Sequence, residues 1–371
     1  MQISKIDLRN NAELDFIKKL LAPHTKRVYL VGGCVRDLLL GLKISDFDLE
    51  IYDLSFEKFE ALMNDIKANG VGKSFFVFKY KNFDLSLARY ENKISKGHKG
   101  FEVRICNDEK QACKRRDFTI NSMMINIFTN EFLDFYEGFS HLQKKLLKHI
   151  DDNSFKEDSL RILRAVHFVS RFDLQSDTKT LALMQSMDIS DLSLDRINAE
   201  LYKFFKAKNL LAGFLLLQNL NLEERLFYHK SNDKAFLELL EKSREFVRSE
   251  ALFLYLYLNF FNINKNLFFK KTKIKNDLHA ASKQVFVKEN LTMKKMCEIA
   301  LSMPLKEWLG LWSEERIALA KKLKLYDESL KIYVNMNEAM KLGLKGAELG
   351  LYKKAQEDVF IKNYIKGFAD E

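Results

Sequence analysis

A chain of 371 residues is long enough for two or three packed units, and its 47% hydrophobic and 30% charged residues are the balance of an ordinary globular protein. Its most apolar run, residues 251–261, is far too short to span a bilayer. The net charge of +10 favours a polyanionic partner, either nucleic acid or an anionic membrane surface, and does not decide between them.

The cysteines give no sign of a metal cluster. Cys34, Cys106, Cys113 and Cys297 are scattered along the chain without the spacing of metal ligands. The first eleven residues mix charged and apolar side chains without a central apolar run, so no secretory signal is predicted. We therefore predict a cytoplasmic protein, with no membrane association and no obligate protein partner.

The predicted elements fall into a mixed region followed by a helical one. They begin with a strand over residues 27–31, a helix over 35–40, a strand over 47–52, a helix over 56–67, and a strand pair over 75–80 and 83–88. After Leu142 the pattern is almost wholly helical. We predict an α+β fold with a small mixed-sheet head over residues 1–140, an all-helical neck over 141–210, and a helical body and tail over 211–371.

Two glycines separate the first predicted strand from the first predicted helix. At Gly32 and Gly33 the backbone N–H groups can approach a triphosphate closely, and the N-terminus of the following helix favours negative charge. Arg36 lies one turn into this helix, within reach of a phosphate. The alternative is a simple glycine turn followed by a surface arginine.

Two aspartates follow on the next predicted strand. Asp46 and Asp48 are two residues apart, so their carboxylates point to the same face. Such a pair can hold Mg²⁺ ions, which bind the attacking and leaving oxygens of a phosphoryl transfer. Asp84, in phase with Ser86 on a later strand, is the candidate third catalytic carboxylate, and an exposed edge-strand aspartate is the alternative.

A third group of residues is suited to reading a nucleobase. Asp158, Arg161 and Arg164 are spaced three apart on a predicted helix and share one face. A carboxylate accepts a hydrogen bond from the exocyclic amino group of cytosine or adenine, and a guanidinium donates to the neighbouring ring nitrogen. Uracil and guanine would lose both bonds, at about 1–3 kcal/mol each. A surface ion pair is the alternative.

Two further basic groups are candidate contacts to nucleotide or RNA. In the cluster Arg115, Arg116 and Asp117, one arginine is predicted to bind the triphosphate while the aspartate orients it or the ribose. A strand-edge ion pair is the alternative. A lysine run in the helical part is predicted to contact RNA phosphates, unless it is a solvated helix face; its members are Lys270, Lys271, Lys273 and Lys275.

Three motifs in order along the chain carry a family resemblance. They are GG-x-VRD-x-LLG with D-x-D over residues 32–48, RRDFTINSM over 115–123, and ED-x-LR-x-LR over 157–164. A hinge-like DFYEG lies at 134–138, and LKGAELG at 344–350 is similar to a short C-terminal motif of the same enzymes. Together they resemble the class II tRNA nucleotidyltransferase and bacterial poly(A) polymerase family, within the polymerase-β-like superfamily.

The resemblance implies a nucleotidyltransferase head and an enzyme that adds C, C and A to the tRNA 3′ end. The substrates would be CTP and ATP, the cofactor Mg²⁺ and the released product pyrophosphate. It also implies that Asp158 and Arg161 read the incoming base, and that a loop within residues 91–100 helps the switch from C to A. His167 departs from the family, which usually carries arginine there.

Other functions remain open on the sequence alone. A poly(A) polymerase with the same fold would use ATP alone and extend many RNAs. A CC-adding or an A-adding enzyme would carry out only part of the reaction. A protein of another class, a non-catalytic RNA-binding protein, would have no need of both Asp46 and Asp48.

Overall fold

The protein divides into two compact units, one ending at Ile197 and the other beginning at Asn198. The structure, a computed structural model, describes residues 11–72, 76–93, 101–289 and 291–368. Mixed strands and helices in the first unit confirm the predicted α+β class. The finer division into head, neck and body stays a prediction. No helix in the described ranges has both the length and the apolar character that crossing a membrane requires.

The first unit alternates short strands with helices. Its described strands are β1 (Val28–Val31), β2 (Phe47–Ile51), β3 (Asn69–Gly72), β4 (Val77–Tyr80), β5 (Phe83–Leu87), β6 (Arg89–Lys93), β7 (Phe101–Ile105), β8 (Met124–Asn126), β9 (Phe132–Leu133), β10 (Leu146–Leu147) and β11 (Gln175–Ser176). Its described helices are α1 (Ala12–Leu21), α2 (Gly33–Leu39), α3 (Phe56–Asp65), α4 (Glu109–Lys114), α5 (Gly138–Gln143), α6 (Asp152–Lys156), α7 (Leu160–Phe172) and α8 (Thr178–Gln185), with a 3₁₀ turn at Thr119–Asn121.

A seven-stranded mixed sheet forms the centre of this unit, in the order β3-β4-β5-β2-β1-β8-β9. Strands β2 and β5 run parallel, and the other neighbours are antiparallel. The parallel register pairs Asp48 with Asp84. Since β5 lies between β4 and β2, Asp84 is on an interior strand, and the edge-strand alternative is wrong.

The predicted strands over 27–31, 47–52 and 83–88 correspond to β1, β2 and β5, and the helices over 35–40 and 56–67 to α2 and α3. The strand pair β6–β7 was not predicted, because the segment 91–100 looks like a polar loop. Residues 91–93 belong to β6, and 101–105 pair with it as β7. The rest of the candidate switching loop, 94–100, lies outside the described residues.

The neck is not all-helical, which corrects the prediction. Strands β10 and β11 pair in parallel: the N–H of Gln175 donates to the carbonyl of Lys145 at 2.8 Å, and that of Asp177 to Leu147 at 2.9 Å. Strands of two residues are too short to show an alternating pattern, so the sequence gives no signal for them.

The second unit is helical throughout its described residues. Helix α9 (Leu194–Lys206) begins before the division, and after it come α10 (Leu210–Asn219), α11 (Glu223–Phe227), α12 (Lys234–Phe246), α13 (Leu252–Phe260), α14 (Lys265–Thr272), α15 (Asn276–Ser282), α16 (Met293–Ala300), a 3₁₀ turn (Leu305–Glu307), α17 (Glu314–Lys322), α18 (Met336–Lys341) and α19 (Ala347–Lys366).

Helix α13 lies at the centre of this unit. Every residue from Leu252 to Leu258 is buried, so this helix is apolar all round, as expected of a central helix. Phe253 packs against aromatic rings from neighbouring helices, stacking on Phe205 with ring centroids 5.6 Å apart. The aromatic residues of this segment therefore belong mainly to the core and are not base-stacking platforms.

Gly138, the last residue of the hinge-like DFYEG segment, lies in close contact with the backbone of another segment. Its N–H donates to Asp134 Oδ1 at 2.8 Å, which caps the start of α5. A Cβ atom here would lie 2.2 Å from the carbonyl oxygen of Thr119 and 2.9 Å from Met123 Cγ. Because backbone cannot yield as a flexible side chain does, Gly138→Ala is expected to lower the free energy of unfolding by about 2–4 kcal/mol.

Denaturant unfolding of Gly138→Ala beside Gly350→Ala measures this effect. Gly350 lies inside α19, where an added Cβ meets nothing within 4 Å, so alanine is expected to leave stability unchanged or to raise it by up to about 1 kcal/mol. Equal stability of both variants would show that the turn at Gly138 is not the close approach described.

Candidate active site

The turn between β1 and α2 brings a glycine against one of the candidate metal ligands. Gly32 has φ +73°, in the region that favours glycine, and a Cβ atom there would lie 3.4 Å from Asp48 Oδ2. Asp48 is the second residue of β2, and Asp46 is exposed one residue before that strand begins. The turn at Gly32 therefore lies close to the carboxylate of Asp48.

Like charges surround Asp48. Burial is the main cause that raises its pKa, to about 6, and the neighbouring carboxylates of Asp84 and Asp46 add to the shift. Arg116 and Lys79 oppose it. The ionised form of a half-buried carboxylate with two like-charged neighbours is unfavourable. A divalent cation bound beside it would favour the ionised form and lower its pKa.

The donor chemistry fits a hard divalent metal ion. Asp46 and Asp48 offer carboxylate oxygens, the ligands that Mg²⁺ prefers. The third candidate, Asp84, is 40% exposed and forms an ion pair with Lys79, with Nζ and Oδ1 3.5 Å apart. Within the described ranges no three carboxylate, histidine or cysteine side chains converge as a ready-made metal cage. The residues thus support a two-carboxylate site, with Asp84 as a neighbouring charge.

Glu50 is a functional candidate that the sequence interpretation missed. It lies two residues after Asp48 on β2 and is fully buried. Its Oε2 accepts from Arg115 Nη2 at 2.6 Å and from Arg116 Nη2 at 3.1 Å, while Oε1 accepts from the hydroxyl of Tyr52 at 2.7 Å. The sequence did contain a signal for Glu50, because residues 46, 48 and 50 alternate as side chains on one face of a strand do.

The two neighbouring arginines differ in exposure. The Arg116 side chain is 8% exposed, and its Nη1 also donates to the carbonyl of Asn121 at 3.1 Å. The Arg115 side chain is 20% exposed. Arg115 is therefore the better candidate for a nucleotide contact, and Arg116 is held within the protein.

Arg36 does not have the role that its position suggested. Its side chain is buried: Nη1 donates to Asn121 Oδ1 at 2.6 Å, and Nε and Nη2 donate to Asp37 Oδ1 at 2.9 and 2.7 Å. The guanidinium also lies over the ring of Phe172, 4.5 Å from its centroid. Arg36 thus joins α2 to other segments, and the prediction that it reaches a phosphate is not supported by this arrangement.

Asp117 likewise has its hydrogen bonds within the protein. Oδ1 accepts from the N–H of Phe118 at 2.8 Å and from Asn121 Nδ2 at 2.9 Å, and Oδ2 accepts from both Nε and Nη2 of Arg164 at 2.7 Å. Two hydrogen bonds that converge on one carboxylate oxygen hold the guanidinium in a fixed orientation. Asp117 therefore orients Arg164, and the prediction that it orients the triphosphate or ribose directly is corrected.

This buried pair gives a pH prediction. Burial opposes the charge of Asp117, but Arg164, the amide of Asn121 and Arg161 outweigh it and lower its pKa to about 2. A carboxyl whose folded pKa lies below its unfolded value stabilises the protein above pH 4 and loses that effect between about pH 4 and pH 2. Asp117→Asn is expected to lower the free energy of unfolding at pH 7 by on the order of 2 kcal/mol.

The measurement is denaturant unfolding of wild type and Asp117→Asn from pH 7 to pH 3. The difference between the two proteins should shrink as the pH falls below 4. A difference that stays constant across this range would contradict the assignment of an ionised, stabilising carboxylate.

Asp158 and Arg161 are arranged differently from the prediction. Helix α7 begins at Leu160, so Asp158 lies in the turn before it and the two residues do not share a helix face. The N–H of Arg161 donates to the carbonyl of Asp158 at 3.1 Å, while Oδ1 of Asp158 accepts from the N–H of Leu160 at 3.2 Å and from Arg196 Nη2 at 3.0 Å. Arg196, at the start of α9, is a second residue that the sequence interpretation missed.

The Arg161 side chain extends to two other segments. Nη1 donates to the carbonyl of Ser154 at 2.9 Å, and Nη2 donates to the carbonyl of Arg115. Burial lowers the pKa of this guanidinium, an effect that Asp117 and Asp158 oppose. Arg161 is thereby fixed against the backbone of the residue whose side chain binds Glu50.

His167, the departure from the family pattern, is buried on α7. Its side chain is packed beside Phe168, with ring centroids 4.8 Å apart. His167 therefore contributes to the packing around helix α7.

Within the first unit, two hydrogen bonds link strand β2 to the first turn of helix α7. Glu50 on β2 binds the Arg115 side chain, and the carbonyl of Arg115 binds Arg161. Asp48, two residues from Glu50, feels the charge of Arg116. Hydrogen bonds therefore connect β2, the strand of Asp48, with Arg161, one of the two predicted base-reading residues.

The predicted RNA-binding lysines lie in the second unit and are all exposed at the end of α14 and just after it. Lys271 Nζ lies 4.7 Å from the ring centroid of Tyr228, and Lys275 Nζ lies 4.4 Å from that of Tyr202. Since Tyr228 is 49% exposed, these lysines form a surface with aromatic as well as cationic character.

Comparison with known proteins gives a match within the first unit. Residues 28–148 match the model of the poly A polymerase head domain. This part of the chain is therefore similar to that head domain. The predicted resemblance to the class II tRNA nucleotidyltransferases and poly(A) polymerases is thus confirmed, and nucleotidyltransferases of this family use divalent metal ions.

Several known proteins are similar to this chain over nearly its whole length. The CCA-adding enzyme of Lactococcus lactis subsp. cremoris (strain SK11) is 26% identical over 372 residues, covering 93% of this chain and 91% of that protein. The Bacillus stearothermophilus CCA-adding enzyme, solved in complex with CTP, has a TM-score of 0.67 and 21% identity, covering 96% and 92% of the two chains. The Thermotoga maritima CCA-adding enzyme, solved with tRNA(CCA), has a TM-score of 0.66 and 21% identity, covering 95% and 90%.

Proposed function

We propose that this chain is a CCA tRNA nucleotidyltransferase, which adds C, C and A to the tRNA 3′ end from CTP and ATP without a nucleic-acid template and releases pyrophosphate. The observation that carries the proposal is the connection from the strand of Asp48, through Glu50 and Arg115, to Arg161. It joins a metal-binding pair to a base-reading pair. Similarity to CCA-adding enzymes over nearly the whole chain supports the same function.

The metal in this proposal is Mg²⁺, held by Asp46 and Asp48. When bound, it would stabilise the charge that develops on the attacking and leaving oxygens. The protein contributes the turn at Gly32 and Gly33, which lies close to Asp48 at Gly32, and the cationic side chain of Arg115 for the triphosphate.

Base selection falls to Asp158 and Arg161. The carboxylate would accept from the amino group of cytosine or adenine, and the guanidinium would donate to the ring nitrogen. Arg196 holds one oxygen of Asp158, and the carbonyls of Ser154 and Arg115 hold Arg161. Fixed groups of this kind discriminate well, because they cannot rearrange to suit uracil or guanine. Arg164, oriented by Asp117, adds a cation beside them.

The RNA would be held by the second unit through phosphate contacts. Exposed Lys270, Lys271, Lys273 and Lys275 supply charge without sequence readout, which suits an enzyme that acts on every tRNA. A cytoplasmic location is part of this proposal and rests on the four cysteines, each buried and free of disulfides.

An extension assay tests the function. Transfer RNA transcripts ending at the discriminator base, at C and at CC are incubated with each nucleoside triphosphate and Mg²⁺. We expect CTP to extend the first two ends and ATP alone to extend the third, by one residue. Long tails made from ATP alone on unrelated RNA would indicate a poly(A) polymerase. Extension of only some of the three ends would indicate a CC-adding or an A-adding enzyme. No extension of any end would indicate a non-catalytic RNA-binding protein.

A further inference from the structure

Glu50 is buried among the residues of the proposed active site, yet the reaction assigns it no chemistry. Its side chain has no exposed surface, and β2 carries it two positions beyond Asp48. A buried carboxylate is costly unless it is paired. The side chains around it therefore show what it does.

Both guanidiniums of the basic cluster converge on one oxygen of Glu50. Arg115 and Arg116 approach Oε2 at 2.6 and 3.1 Å. The other oxygen, Oε1, accepts from the hydroxyl of Tyr52 at 2.7 Å. The two halves of the carboxylate thus have separate partners: Oε2 binds the arginines and Oε1 is held by the strand's own tyrosine.

One negative charge shared by two positive ones leaves a net positive charge at this point. Without Glu50, the two cations would repel each other, and Arg116 would still be attracted by the charge of Asp48. With Glu50 in place, the guanidinium of Arg115 is fixed, while the side chain as a whole remains 20% exposed. This arrangement is suited to binding a polyphosphate, since the cation is held and its position does not depend on the ligand.

The same bond acts on the base-reading pair. Arg115 is held by Glu50 through its side chain, and its own carbonyl accepts from Arg161. A shift of Arg115 would therefore move the acceptor that fixes Arg161. Small displacements matter at such a place, because discrimination between bases depends on hydrogen-bond geometry.

We propose that Glu50 is a positioning residue that holds Arg115 and, through it, Arg161, so that the choice of cytosine over uracil depends on a carboxylate that touches no nucleotide. This inference rests on the proposed function. It goes beyond the proposed function in assigning specificity to β2, the strand that carries the proposed metal ligand Asp48.

The test measures equilibrium binding of CTP and UTP, with Mg²⁺ and without RNA, to wild type and to Glu50→Gln. The amide keeps the size of the side chain and loses the charge. We expect the ratio of CTP to UTP affinity to fall about tenfold or more. An unchanged ratio in folded Glu50→Gln would overturn the proposal.

Tyr52→Phe is the matched control. It removes the hydroxyl that binds Oε1 and leaves both arginine contacts at Oε2, so we expect the ratio to stay within about twofold of wild type. An equal loss of selectivity in both variants would overturn the proposal, because it would show a general effect of disturbing β2. If Glu50→Gln does not fold, Glu50→Asp is measured instead, because it keeps the charge and moves the carboxylate away from the two arginines. A fall in the ratio of CTP to UTP affinity would support the proposal, and an unchanged ratio would overturn it.

A second comparison separates positioning from general destabilisation. Arg115→Gln removes the link between Glu50 and Arg161, so the double variant with Glu50→Gln should lose no more selectivity than the worse single variant. Additive losses would contradict the shared path. The extension assay on wild type is independent: if wild type fails to extend tRNA but prefers CTP to UTP in binding, the proposed function fails while this inference is still tested.

Discussion

Replacing Asp48 by asparagine is expected to reduce nucleotide addition by roughly a thousandfold or more, because the proposed Mg²⁺ site loses one of its two carboxylates. The same change is expected to stabilise the metal-free protein. Burial and the nearby Asp84 carboxylate raise the pKa of Asp48 to about 6. A carboxyl whose folded pKa lies above its unfolded value lowers the stability of the fold as the pH rises from about 4 to about 6, and the full loss persists above pH 6.

At pH 7.5 in the presence of a chelator, we expect Asp48→Asn to unfold with a free energy on the order of 1–3 kcal/mol higher than wild type. This advantage should disappear near pH 4, where the wild-type carboxyl is protonated. Asp46→Asn is the matched control: Asp46 is exposed, so its loss should impair activity without this stabilisation. A destabilised Asp48→Asn, or one that retains full incorporation, would contradict the metal assignment.

Replacing Asp158 by asparagine is expected to lower the preference for CTP over UTP by about a hundredfold. The carboxylate only accepts hydrogen bonds, whereas the amide also donates, and a donor suits the carbonyl of uracil better than the amino group of cytosine. Two hydrogen bonds at about 1–3 kcal/mol each set this scale. Steady-state kcat/KM for single additions to a tRNA ending at its discriminator base measures the preference.

Asp152→Asn is the control for this experiment. Asp152 lies six residues earlier, is 73% exposed and pairs with His149, with Oδ1 and Nε2 2.7 Å apart. Its replacement should leave the preference for CTP unchanged. If Asp158→Asn keeps the wild-type preference while Asp152→Asn does too, another group reads the base.

Local sequence predicted the parts of the site that depend on one segment alone. The glycine turn, the strand with Asp48 and with Asp46 directly before it, and the order of the motifs follow from spacing and from family resemblance. Helix α2 and strands β1 and β2 lie where the pattern places them. These features are governed by backbone geometry over a few residues, which is what a sequence pattern encodes.

Contacts between distant segments were not predictable in this way. Arg36 was expected to face a phosphate, but it binds Asn121, which is 85 residues away along the chain. Asp117 binds Arg164 across 47 residues, and Asp158 binds Arg196 across 38. Spacing shows that a charged residue is present on a face, but only the packing of segments decides which partner it meets.

Glu50 shows where the sequence could have been used further. Its position two residues after Asp48 placed it on the same face of a strand, and a charge at that position beside Tyr52 predicts a buried partner. The partner itself, the pair Arg115 and Arg116, required the structure. Short strands such as β10 and β11 left no comparable signal.

The measurement that tests the central claim most directly is a crystal structure of the protein with CTP and Mg²⁺. We expect the triphosphate and metal at Asp46, Asp48 and the turn after β1, and the cytosine edge bonded to Asp158 and Arg161. A nucleotide whose base points away from those two residues, or whose triphosphate lies apart from the aspartates, would contradict the account.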